Sequence, residues 1–169
     1  LFHLYTGIFG MLTAQLQRSI HLGFALALIF LLFPARKKNR GKEFKVAWYD
    51  IILAIVSVIV GAYWPVMIDD LVLRTGNITG MDFFVGLSAI LLVLEATRRT
   101  VGLPITIIAI VFMVYAVFAP YMPGAIAHRG LELDRLVQTM FFTTEGILGT
   151  PIGVSSTFIF LFLLFGSFL

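Results

Sequence analysis

Residues 48–64 read Trp-Tyr-Asp-Ile-Ile-Leu-Ala-Ile-Val-Ser-Val-Ile-Val-Gly-Ala-Tyr-Trp. Apart from Asp50 near its start the stretch carries no charge, and aromatic residues bracket it, Trp48 and Tyr49 before and Tyr63 and Trp64 after. A run of ~20 apolar residues matches the hydrocarbon core of a bilayer, and Trp and Tyr concentrate at headgroup level. The pattern predicts a transmembrane helix, closed by Pro65.

Upstream lies a basic loop, with Arg36, Lys37, Lys38, Arg40, Lys42 and Lys45 against the single acid Glu43. Before it, residues 20–33 are almost wholly apolar, broken by His21 and closed by Pro34, and with residues 14–19 they are long enough to span. Residues 1–5 read as the tail of an earlier apolar segment, and residues 6–17 as a turn plus an interfacial piece. Downstream, residues 69–80 form a loop with Asp69, Asp70 and Arg74, and Asp82 caps a third span over 83–96. Arg98 and Arg99 follow at once, and 103–119 is a fourth span with Pro104 in its first turn, where proline is tolerated. Short loops rich in Lys and Arg stay cytoplasmic. Arg36, Lys37, Lys38, Arg40, Lys42, Lys45, Arg98 and Arg99 then all fall inside, and Arg18, Arg74, Arg129 and Arg135 outside.

After Gly130 the pattern changes. Leu133, Leu136, Val137, Met140 and Phe141 recur at helical spacing with Glu132, Arg135, Gln138 and Thr139 between them, which predicts an amphipathic helix lying along the interface or against another helix. Gly146, Gly149, Pro151 and Gly153 interrupt the backbone before residues 154–169 begin a further span. The expected fold is therefore all-α and polytopic, with about five transmembrane segments and one interfacial amphipathic helix.

Composition agrees. The 169 residues are 60% hydrophobic and 12% charged, with a mean hydropathy of +1.02, whereas soluble domains are about 25% charged. Cysteine is absent, which excludes disulfides, thiolate metal ligands and a cysteine nucleophile. The net charge of +3 is concentrated in the loop at 36–45 and does not describe a nucleic-acid surface. The chain opens on Leu1 rather than Met and Leu169 falls inside an apolar run, so both ends read as cuts in a longer chain.

Several groups carry chemistry. The basic loop suits anionic lipid, although a plain topology determinant explains it equally. Glu95 is an ionisable group on a span and so a candidate for an ion or substrate path, but Arg98 and Arg99 stand three and four residues on, where pairing at the interface is favoured. Asp50 suits a helix N-terminus. Glu145, Ser155, Ser156 and Thr157 flank the break before the last span, and transporters use broken helices to hold substrates and ions. The bland alternative has Pro151 in a first turn and the hydroxyls bonding back to the helix. The Gly153-Val-Ser155-Ser156 run also fits an intramembrane serine nucleophile, which needs a base in reach. His3, His21 and His128 are the histidines, and neither His21 nor His128 has an evident orienting carboxylate. No HExxH, P-loop or GxGxxG occurs, so no metal site or cofactor is expected and the chain does not read as an enzyme.

The segments Arg98-Arg-Thr-Val-Gly-Leu-Pro-Ile105, Ala127-His-Arg-Gly130 and Thr143-Thr-Glu-Gly-Ile-Leu-Gly-Thr-Pro-Ile-Gly-Val-Ser-Ser-Thr157, with the early Leu1-Phe-His-Leu-Tyr-Thr-Gly7 and Gln17-Arg-Ser-Ile-His-Leu22, resemble the fused permeases of tripartite ATP-independent periplasmic (TRAP) transporters, of the TAXI class. The resemblance runs over the whole stretch and is most specific over residues 143–169. It implies an ATP-independent symporter in the cytoplasmic (inner) membrane of a bacterium or archaeon. Such a symporter takes up organic acids delivered by a periplasmic solute-binding protein and runs on a Na+ or H+ gradient. It also implies that residues 1–120 are small-subunit-like scaffold helices. Residues 121–169 are then connector, amphipathic helix and the start of a large transport subunit, whose remainder is a partner along with the lipid bilayer. The family's ion and substrate sites lie mostly beyond residue 169. Asp69, Asp70, Arg74, Arg129 and Arg135 on the outer side are candidate contacts for the binding protein. The alternative is a membrane scaffold that assembles partners and moves no solute.

Overall fold

Helices account for nearly all of the regular structure, and no strand occurs among the described residues, which are 2–33, 35, 47–74, 76–123 and 129–169 of the computed structural model. The basic loop with Arg36, Lys37, Lys38, Arg40, Lys42 and Lys45 lies outside them, as does His128. Five helices are long and apolar enough to cross a membrane: Ala14–Leu32, Trp48–Leu73, Gly80–Thr100, Leu103–Tyr121 and Thr150–Phe168. The chain is an all-α, polytopic helical membrane protein.

A short helix α1 (Phe2–Phe9) precedes α2 (Ala14–Leu32), and α3 (Trp48–Leu73) packs along α2 over most of its length. Leu22, Leu26 and Phe30 of α2 meet Ala54, Val60 and Trp64 of α3, and α4 (Gly80–Thr100) covers the pair with Ala89, Leu92 and Ala96. Between α2 and α3 the side chains shrink to Gly23 and Gly61, where the two backbones touch.

The second span does not stop at Pro65. α3 runs on to Leu73 across a kink, with Met67 at φ −108°, ψ 17°. Proline removes one helix hydrogen bond and crowds the carbonyl four residues back, which bends a membrane helix without ending it. Two expectations change in consequence. Asp69 and Asp70 stand on the last turns of a helix rather than in a loop, and Trp64 is a buried core residue rather than a headgroup anchor, its Nε1 donating to the carbonyl of Phe141 at 3.4 Å. Trp48, at the start of α3, is 74% exposed.

The start of α4 is also corrected by one step. Thr79 is the N-cap and Asp82 sits three residues inside, the two closing a reciprocal capping box. The helix carries Arg98 and Arg99 in its last turn rather than ending before them. Gly102 at φ +120° makes the tight turn into α5 (Leu103–Phe118), with Pro104 in the first turn as expected. Thr106 is the one buried residue of α5, so nearly all of this helix is left open by the bundle.

The stripe after Gly130 forms α6 (Leu133–Val137), continued as a π-helical turn over Gln138–Phe142. Leu136, Val137 and Phe141 are buried against the bundle and chiefly against α4, while Leu133 is exposed. The last span is a rod of α7 (Thr150–Val154), a π-helical turn over Ser155–Ile159, and α8 (Phe160–Phe168). None of α8 is buried.

Candidate functional site

Each end of the α3/α4 pair is closed by one buried carboxylate. At one end Asp50, in the first turn of α3, accepts from Arg99 Nη1 at 2.7 Å, and both side chains are 2% exposed. The same guanidinium donates to Glu95 at 2.7 Å and to the carbonyl of Phe33 at 3.1 Å, and lies 4.9 Å over the ring of Phe30. Arg98 forms a two-pronged pair with Glu95, both bonds at 2.7 Å. At the other end Asp82 accepts from the Thr79 backbone N–H at 2.7 Å, the Thr79 hydroxyl at 2.8 Å, Arg74 Nη1 at 3.1 Å and the hydroxyl of Tyr63.

These networks decide several of the sequence candidates. Glu95 is engaged by the arginines that the helical spacing places beside it. Arg99 is a buried structural cation rather than a lipid contact, and only Arg98 keeps a partly exposed head. Arg74 ties α3 to α4, whereas Asp69, Asp70, Arg129 and Arg135 are exposed.

The chemistry gathers elsewhere, on a polar seam where α1, α2 and the last rod meet. α1 turns back at Gly10 and runs antiparallel to α2, so His3 faces His21 and Thr6 faces Gln17. His3 Nε2 lies 2.7 Å from His21 Nδ1, and His21 Nε2 lies 3.1 Å from the hydroxyl of Ser155. Gln17 Nε2 donates to the Thr6 hydroxyl at 3.2 Å and to the carbonyl of Ser156 at 3.4 Å, across the π-helical turn. Such turns are rare and recur at functional sites. The Oε1 of Gln17 has no partner, although the residue is 3% exposed. One turn further out, Arg18 Nη1 donates to the carbonyl of Leu148 at 2.8 Å.

Of the residues flanking the break, Ser155 and Ser156 belong to this seam. Thr157 lines the cleft beside it, and Glu145 stands exposed in the preceding turn. The hydroxyls of Ser156 and Thr157 both donate back to the carbonyl of Gly153 at 2.9 Å, and Pro151 sits in the first turn, so the rod begins as the bland reading expects. The histidine reading is corrected, because a base is in reach of Ser155 and His3, not a carboxylate, is the group that orients it. His3, Thr6, Gln17, Arg18 and His21 were not singled out from the sequence as one site. The available signal was that the two members of each pair stand about equally far on either side of the turn at residues 10–13.

A chain of Ser–His–His hydrogen bonds can run in two directions. With His21 protonated on Nδ1, its Nε2 accepts from Ser155 and polarises the hydroxyl. With the tautomers exchanged, Ser155 becomes the acceptor. The arrangement can therefore orient a hydroxyl or pass a proton between three helices. Among the described residues no group of three or more His, Asp or Glu side chains is placed to hold a metal ion.

No protein-family model, curated protein or solved structure matches the chain.

Proposed function

We propose that the chain is the scaffold and leading part of a membrane permease that imports organic acids on a Na+ or H+ gradient, working with a periplasmic solute-binding protein. The observation that carries this reading is the contrast between two kinds of contact in one bundle. α2 and α3 are locked by backbone contact at Gly23 and Gly61, whereas the last rod leaves nearly all of its length open to lipid and meets α1 and α2 along the hydrogen-bonded seam of His3, Gln17, Arg18 and His21. Polar and ionisable groups are costly inside a span and mark substrate and ion pathways in transporters. A rigid pair of helices beside a span held by exchangeable hydrogen bonds fits a fixed scaffold joined to a transport subunit. The exposed Asp69, Asp70, Arg129 and Arg135 suit electrostatic docking of a soluble partner.

The test is solute uptake by the protein in its natural full length, reconstituted in liposomes with its cognate binding protein and an imposed ion gradient. Accumulation of an organic acid that requires both gradient and binding protein is the expected result. A protein that assembles but accumulates no solute under any gradient would leave the scaffold reading in its place.

The Ser155–His21–His3 geometry favours one second reading, a serine hydrolase. The neighbouring hydroxyls of Ser156 and Thr157 are directed at the carbonyl of Gly153 and so are not aimed at an oxyanion beside Ser155. The expected outcome with a fluorophosphonate probe is no labelling at Ser155. Labelling that disappears in His21→Gln would establish the hydrolase instead.

A further inference from the structure

We propose that Arg18 forms an oxyanion-binding site, taking a carboxylate or a phosphate into the cleft between the start of α2 and the start of the last rod. Arg18 stands about 6 Å along a span of about 28 Å, inside the first turns of α2. It forms no ion pair among the described residues, and of its five N–H groups one is used, on the carbonyl of Leu148 at 2.8 Å. A guanidinium does not shed its proton, so a charge held on a membrane span calls for a counter-anion or for water. The side chain is half-buried and lines a cleft of about 290 Å³, with Gln17, Thr150 and Thr157 as polar neighbours and Met11 and Phe158 as apolar ones. The volume suits a small organic acid or one lipid headgroup, and the mixed lining suits a charged head with a hydrocarbon part.

Position 153 is shaped around this cation. A Cβ on Gly153 would lie 2.8 Å from Arg18 Nε and 2.9 Å from its central carbon, so the guanidinium lies against the glycine backbone. It is held there from one side only, leaving its remaining N–H groups for a ligand. The next turn of α2 carries His21, neutral or cationic, and no carboxylate among the described residues is paired with Arg18, so the site selects for negative charge.

The test uses the protein in its natural full length, in phosphatidylcholine nanodiscs, with two probes: added succinate, and replacement of part of the lipid by phosphatidylglycerol. Binding is read from the shift in thermal midpoint as either probe is raised. The expected result is a saturable shift with at least one probe, weakened about tenfold or more in Arg18→Gln and partly kept in Arg18→Lys. Gly153→Ala is the second variant, which keeps the arginine and displaces only its guanidinium, the far end of a flexible side chain. It is expected to lose the same affinity as Arg18→Gln, each variant being read against its own midpoint without ligand. A response to succinate alone assigns the site to solute, and a response to phosphatidylglycerol alone assigns it to lipid. Equal shifts in wild type and Arg18→Gln, or no shift with either probe, overturn the proposal and leave Arg18 as a side chain that reaches water. The readout needs no transport, so its failure is separate from failure of the uptake assay.

Discussion

Arg99→Ala is expected to destabilise the bundle by about 3–5 kcal/mol, the loss typical when one member of a buried ion pair is removed. Asp50 is 2% exposed and its Oδ1 takes a bond from Arg99, so truncation leaves a carboxylate in the bundle without its cation. The same change releases Glu95 from one of its two arginines, removes one bond to the carbonyl of Phe33 and takes the cation from the face of Phe30. Lysine does not substitute, because a point charge on a flexible stem cannot reach Asp50, Glu95 and Phe33 at once as the planar fork does. The double change Asp50→Asn with Arg99→Gln separates charge from connectivity. It removes the two groups that are costly to bury while keeping hydrogen-bonding side chains at both positions, and it should lose less than Arg99→Ala alone. Thermal unfolding in one lipid composition checks the ranking. If Arg99→Ala and the double variant unfold together near the wild type, the pair is not the clamp that its geometry describes.

That clamp shows how far the sequence carried and where it stopped. Apolar runs of span length were enough for the order of the helices, because lipid imposes that constraint locally along the chain. The pairing of Glu95 with Arg98 and Arg99 was legible for the same reason, since helical spacing fixes neighbours three and four residues apart. The partner of Asp50 was not, because Arg99 lies forty-nine residues on and nothing local couples the two. Pro65 misled as to the end of α3, since in lipid an unsatisfied backbone costs more than a kink. The seam was hidden in the same way. Ser155 was visible as a hydroxyl near a break and His21 as a polar residue in a span. Only the antiparallel return of α1 and the docking of the last rod bring His3, His21 and Ser155 into one line.

Gly61→Leu should be the most disruptive single change in the helix core. A Cβ at position 61 would lie 2.7 Å from the Cα of Gly23 and 3.0 Å from the carbonyl oxygen of Ser19, both backbone atoms that no rotamer change can move aside. The reverse substitution is nearly as crowded, with a Cβ on Gly23 at 3.0 Å from the Cα of Gly61. Lipid tails are as apolar as leucine, so no hydrophobic gain offsets a separation of the helices, and close packing is what holds them. Forcing α2 and α3 apart opens contacts on both sides of the crossing, where Leu22 and Leu26 meet Val60 and Trp64. Overpacking in soluble cores costs about 1–3 kcal/mol, occasionally more, and a clash between two backbones belongs at the upper end. Gly61→Ala is expected to lose less and Gly61→Leu to lose the native α2–α3 contact. The measurement is disulfide trapping between one cysteine introduced on α2 and one on α3, at facing positions whose Cα atoms lie within about 7 Å, in a chain that has no cysteine of its own. Efficient trapping in wild type and Gly61→Leu alike would show that the crossing tolerates a side chain, and the rigid half of the proposed scaffold would lose its basis. Trapping lost in Gly61→Leu, with the helix content kept, would place the rigidity of the bundle at this one crossing.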